Sequence, residues 1–165
     1  LVPLIKKQGG KILGKINTKK LTKISIVASI YVILTVALPF LSYGQIQFRI
    51  SEMLTLLAFY NPIYIWSLTI GTFIANMWST IGILDMLIGT IATLVAVYPM
   101  SKLNNIWIAS LFPAISNGLI IGFQLNILIG LPLVPSIVYV ALGEFVVVTI
   151  LGVPTMSLLK KYIKF

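Results

Sequence analysis

The chain is 165 residues long, 59% apolar and 9% charged, with twelve Lys and Arg against three acids and a net charge of +9. A soluble domain carries about 25% charged residues, so this composition describes an all-α integral membrane protein. Zero Cys excludes disulfides, thiolate metal sites and thiol catalysis, and zero His removes the commonest general base and metal ligand. No metal, cofactor or enzymatic activity is expected.

Residues 1–23 form a basic interfacial segment, and residues 24–165 the apolar body. Lys6, Lys7, Lys11, Lys15, Lys19, Lys20 and Lys23 precede the first apolar run, and Lys160, Lys161 and Lys164 follow the last. This is the positive-inside pattern of membrane flanks rather than a phosphate-binding groove, so nucleic acid is not an expected partner. Gly9 to Lys15 matches G-x-x-x-x-G-K. A phosphate loop needs Ser or Thr next and a strand before it; here Ile16 follows and no strand precedes. Leu4, Ile5, Ile12, Leu13 and Ile16 instead equip the segment to hug a membrane. The chain opens on Leu1 rather than Met, which leaves a trimmed start open. The run 24–41 is nearly of full spanning length and is expected as a retained helix, not a cleaved signal.

A spanning helix needs about 20 apolar residues, and six spans are predicted near 24–41, 47–60, 62–80, 84–101, 104–124 and 134–159. Breakers at Ser42-Tyr43-Gly44, Asn61-Pro62, Thr80-Ile81-Gly82, Lys102 and Gly130-Leu131-Pro132 separate them. The second is short and carries Arg49 and Glu52, but parity supports it. Six spans put both termini and Lys102 on one side, so eleven of the twelve cations face the cytoplasm of a multi-pass plasma-membrane protein. Only Arg49 falls outside.

In that topology Glu52, Asn76, Asp85, Asn117 and Glu144 come from different helices yet all fall in the outer half. Glu144 lies about 15 Å below the outer surface at helical rise. The arrangement predicts a solute pocket opening outward, capped by the loop from Ser42 through Gln47 to Phe48. Arg49 and Glu52 share a helix face at i,i+3 and either pair at the headgroups or line the pocket. Glu144 is the one charge between Pro135 and Val153, and a lone intramembrane carboxylate marks a functional site. Asp85 is either a helix N-cap or pocket wall. Asn117 is either interhelical glue or a ligand contact, beside a Gly118-x-x-x-Gly122 packing motif. Trp66, Trp78 and Trp107 are expected in the interfacial belt; Tyr43, Phe48 and Trp78 also fall near the mouth, where they would stack on a planar ligand.

The runs Ile46-Gln47-Phe48-Arg49-Ile50-Ser51-Glu52, Gly82 to Leu94 and Ala141-Leu142-Gly143-Glu144 resemble the QueT family. Its members are S components of energy-coupling factor transporters, assigned to queuosine precursors. The resemblance covers nearly everything from Ile24 to Leu159, and Q-F-R-x-S-E is its specific element. It implies six helices, one small-molecule pocket and partners in the bilayer and cytoplasm: a transmembrane T component and two ATPases. The S component would topple to deliver its ligand. S components carry Ala-x-x-x-Ala on the first helix against the T component. Here Ser25-x-x-x-Ser29, with Ala28 beside it, keeps small residues but not the alanines.

A 7-deazaguanine presents adjacent ring N–H and amine donors that one carboxylate can accept together. The aminomethyl precursor adds a cation for a second carboxylate. Glu144 or Glu52 is therefore expected on the guanine-like edge and the other on the ammonium, with Arg49 or Asn117 meeting the ring carbonyl. Three alternatives follow from the same residues. One is an S component for another vitamin-like solute. Another is an ion-coupled carrier using Asp85 and Glu144, although no inverted repeat is evident. The third is a structural subunit without a ligand.

Overall fold

The computed structural model describes residues 18–44 and 48–162. The basic segment before Thr18, with its G-x-x-x-x-G-K match, and Gln47 of the capping loop lie outside the described residues. Among the described residues all regular structure is helical. We label the main helices α1 (Thr18–Ala37), α2 (Ile50–Tyr60), α3 (Tyr64–Ala75), α4 (Ile83–Met100), α5 (Ile106–Ile129) and α6 (Leu133–Leu159). Four of them, α1, α4, α5 and α6, are long and apolar enough to cross a membrane.

The boundaries follow local chemistry. α1 stops at Ala37 because Pro39 has no N–H to continue the ladder; a short helix, Pro39–Ser42, starts there instead. The N-terminal turns of α1 take in Lys19, Lys20 and Lys23. α5 runs five residues beyond the expected 124 and ends at Gly130, whose left-handed φ of 75° closes the helix as its N–H returns to the Asn126 carbonyl. α2 opens as a 3₁₀ helix over Ile50–Leu56, longer than the three or four residues usual for that form. Its tighter winding brings residues three apart into register, which sets Arg49 above Glu52. α2 is also the element most enclosed by its neighbours: Ser51, Glu52 and Thr55 to Ala58 are all buried. A short helix surrounded by protein keeps its carboxylate away from lipid on every side.

α6 changes its winding midway. It is α-helical over Leu133–Glu144 and π-helical over Phe145–Gly152. Pro154 supplies the reason: it cannot donate to the Ile150 carbonyl and its ring would press on it. The wider turn relieves this, and the Val153 N–H bonds five residues back to Val148. Glu144 is the last residue before that change.

The bundle has two unlike ends. Lys19, Lys20 and Lys23 share a groove with Asn61 and Trp66, Lys160 sits over the Tyr60 ring, and antiparallel helix order brings Lys102 to the same end. We call this the lysine end. At the opposite loop end, Tyr43 and Gly44, Ser79 to Ile81, and Leu131 come together. An apolar core of Leu56, Leu68, Val97, Met100, Val148 and Val153 fills the lysine half. A smaller one of Ala92, Ile121, Leu125 and Val140 lies toward the loop end. Trp66, Trp78 and Trp107 are all exposed on the outside.

α5 and α6 lie unusually close. A Cβ on Gly118 would come within 2.8 Å of the Ala141 Cβ, and one on Gly122 within 2.7 Å of the Ile137 Cα. The Gly118-x-x-x-Gly122 stripe is thus a packing face. It also fixes how near Asn117 comes to α6.

Candidate functional site

The three acids of the chain are all buried toward the loop half, each met by a different set of partners. Glu52, on the 3₁₀ part of α2, is 1% exposed. The Tyr31 hydroxyl on α1 donates to its Oε1, and the Arg49 Nη1 stands 3.9 Å from the same oxygen. Thr35 Oγ1, one turn after Tyr31, bonds Ser51 Oγ at 2.6 Å and so locks α1 to α2. Arg49 is 8% exposed, lies 5.7 Å from the Tyr43 ring centroid, and reaches the Ser42 carbonyl at 3.5 Å. This is a buried ion pair, not an arginine snorkelling to headgroups. Tyr43 in turn donates its hydroxyl to the Ala75 carbonyl at the end of α3, at 2.6 Å.

Glu144 is 3% exposed, and its Oε1 accepts from Asn117 Nδ2 at 2.7 Å. Among the described residues no Lys or Arg lies within salt-bridge distance of it. Asp85 is also 3% exposed, and its Oδ1 accepts from Gln124 Nε2 at 2.7 Å. It does not cap its helix: Gly82, with φ 81°, holds that position, and Asp85 sits within the first turn. Asn76, in a short 3₁₀ turn after α3, donates to the Asp85 carbonyl at 3.2 Å. Its amide lies directly over Gly89, where a Cβ would come within 2.3 Å of Nδ2.

Many polar atoms here remain unanswered. Glu52 Oε2, Asn76 Oδ1, Asn117 Oδ1, Gln124 Oε1, Glu144 Oε2 and Arg49 Nε are buried and find no hydrogen-bond partner among the described residues, as do Ser42 Oγ and Ser67 Oγ. Each such atom costs about 1–3 kcal/mol. Five of the first six are acceptors and one is a donor. A ligand answering these acceptors would be rich in N–H groups.

Of the residues expected at the site, Arg49, Glu52, Asn76, Asp85, Asn117 and Glu144 are all buried in this region. Phe48 is half-buried beside Arg49, and Trp78 is 57% exposed at the end of α3. On the outside of α1, Ser25, Ala28 and Ser29 line a shallow groove with Val32, Ile33 and Ile70. The sequence did not single out Tyr31 or Gln124. Tyr31 has Thr35 one turn later, a polar pair within an otherwise apolar face. Gln124 lies seven residues after Asn117, which puts both on one face of α5.

The model of the family described as the QueT transporter matches residues 21–161. The chain is similar to the queuosine precursor transporter QueT of Lactococcus lactis subsp. cremoris (strain MG1363), with 47% identity over 83 residues. That stretch spans 49% of this chain and 48%, about half, of the relative. No solved structure matches the chain. The chain belongs to the QueT transporter family, a family of transporters and not of enzymes.

Proposed function

We propose that this QueT family member is the substrate-binding S component of an energy-coupling factor importer, and that it captures a queuosine precursor of the 7-deazaguanine type in its aminomethyl form. The observation that carries the reading is the excess of buried, unpartnered acceptors at the loop end. A deazaguanine offers a ring N–H, an exocyclic amine and a pyrrole N–H, and the aminomethyl group adds an ammonium. A nitrile in its place would bring another acceptor to a region already short of donors. The name of the Lactococcus relative points to the same class of solute.

The roles follow from which atoms are left over. Because Asn117 Nδ2 is bonded to Glu144 Oε1, Asn117 Oδ1 and Glu144 Oε2 remain as neighbouring acceptors for the ring N–H and amine of the guanine-like edge. Arg49 Nε is the unpartnered donor for the ring carbonyl. Glu52, held by Tyr31 and Arg49, orients the guanidinium. Buried in a low-dielectric interior, each charge-assisted bond counts for more than in water.

The chain in this reading crosses the plasma membrane six times, with the lysine end and both termini cytoplasmic. α2 and α3 complete the six spans, α2 enclosed by its neighbours and α3 presenting Trp66, Ile70 and Phe73 on the outside. The small residues Ser25, Ala28 and Ser29 allow a T-component helix to approach α1 closely. The chain then topples against that partner, and two ATPases supply the energy. Titration of purified protein with 7-aminomethyl-7-deazaguanine tests the binding step. Wild type is expected to bind, and Glu144→Gln to lose about 100-fold in affinity through one charged contact of about 2.7 kcal/mol. Wild-type affinity in both Glu144→Gln and Glu52→Gln contradicts the assignment.

A further inference from the structure

Glu52 is already engaged by a phenol and a guanidinium, and Glu144 by an amide beside the proposed ring edge. The third carboxylate has a different setting. Asp85 is the acid among the lining residues of a cavity of about 120 Å³ at the loop end, walled by Tyr43, Ser79, Ile81, Leu125 and Leu131. Among the described residues no Lys or Arg lines it. Two further acceptors are tied to Asp85 by their own donors. Gln124 gives its N–H to the Asp85 carboxylate and keeps Oε1 unpartnered. Asn76 gives its N–H to the Asp85 main-chain carbonyl and keeps Oδ1 unpartnered. Both side chains are at least 97% buried. Asp85 itself lines the cavity, and the Gln124 and Asn76 acceptors lie behind it, one tied to its carboxylate and the other to its main-chain carbonyl.

The geometry points to Asp85, Gln124 and Asn76 as a subsite for a primary ammonium, and so to Asp85 as the residue that selects an amine-bearing solute. An ammonium carries three N–H donors and no acceptor. It answers one carboxylate and two amide oxygens in one group, whereas a guanidinium would need a larger planar space and a hydroxyl brings a single donor. Position supports the match. Asn117 and Gln124 lie seven residues apart on α5, about 10 Å along its axis. The Glu144–Asn117 pair therefore lies deeper than the Asp85–Gln124 pair on the same helix face. A bicyclic ring with its recognised edge at one pair directs a substituent on its far side toward the other. Ile81, Leu125 and Leu131 give the cavity an apolar wall facing the polar Ser79 and Thr80. This assignment rests on the proposed ligand class, and it takes the ammonium away from Glu52.

The test is a two-by-two titration of wild type and Asp85→Asn with 7-aminomethyl-7-deazaguanine and with 7-methyl-7-deazaguanine, which lacks the amine. Wild type is expected to prefer the aminomethyl ligand by about 50-fold, and Asp85→Asn to cut that preference below about fivefold. A variant that keeps the full preference overturns the proposal, as does one that loses both ligands by the same factor, because Asp85 is then structural. Gln124→Met, which keeps the carboxylate, is expected to lose about fivefold of the preference. It decides the matter if Asp85→Asn fails to fold, and an unchanged preference there counts against the subsite. If wild type binds neither compound, the ligand class itself is wrong and the subsite falls with it. If wild type binds both equally, only the ammonium assignment falls.

Discussion

The lysine half and the loop half of this bundle bury similar helices by different means. The lysine half packs Leu56, Leu68, Val97, Met100, Val148 and Val153 against one another. Its buried hydroxyls largely bond to main chain: Thr55 to the Glu52 carbonyl at 2.5 Å, Ser110 to Trp107 at 2.8 Å and Thr149 to Ser110 at 3.2 Å, with Ser67 the exception. The loop half instead buries three carboxylates, three amides and a guanidinium, and leaves an atom of most of them without a partner. Nothing about stability asks for the second arrangement. Well-packed apolar residues in place of a buried polar network are often neutral or stabilising. In the proposed reading, the contrast separates a half that holds the fold from a half that holds a solute.

Two substitutions sharpen that division. The larger effect is expected in the lysine half, where Leu68 is fully buried. Leu68→Ala should cost about 2–5 kcal/mol of stability, read as a fall in melting temperature, while affinity for 7-aminomethyl-7-deazaguanine in the folded protein stays within about twofold, under 0.5 kcal/mol. A large loss of affinity there would break the separation. The smaller effect is expected in the loop half. Tyr31→Phe removes the hydroxyl that holds Glu52, and should weaken binding by about fivefold to tenfold, about 1–1.4 kcal/mol, by loosening Arg49. Calorimetry at constant salt measures both. If Tyr31→Phe leaves affinity untouched, the Glu52 cluster serves the fold alone.

Much of this division was visible in the residues themselves. Acids are costly in apolar runs, so Glu52, Asp85 and Glu144 stood out by their surroundings. The i,i+3 spacing of Arg49 and Glu52 survives in a 3₁₀ helix, which aligns such pairs more closely than an α-helix does. The Gly118-x-x-x-Gly122 stripe packs as its spacing required. Other features depend on tertiary context. Gln124 meets Asp85 across 39 residues and Tyr31 meets Glu52 across 21, and local spacing places each on a polar face without naming the acid it meets. Asp85 looked equally suited to a helix cap, because capping and burial favour the same residue at a helix start; Gly82 took the cap by virtue of its positive φ. The π-helical stretch after Glu144 follows from Pro154, but whether a proline kinks, ends or widens a helix depends on what packs around it.

The central claim is that the unpartnered atoms of the loop half exist for a ligand. The most direct test is thermal unfolding of wild type and of the double variant Glu144→Met/Asn117→Leu, each with and without 7-aminomethyl-7-deazaguanine. Removing both members of a buried polar pair avoids stranding either one. The variant should be at least as stable as wild type without ligand and should gain nothing from it. Wild type should gain about 2.7 kcal/mol at a ligand concentration 100 times its Kd. A variant that is markedly less stable alone, yet is still stabilised by the ligand as wild type is, would contradict the account.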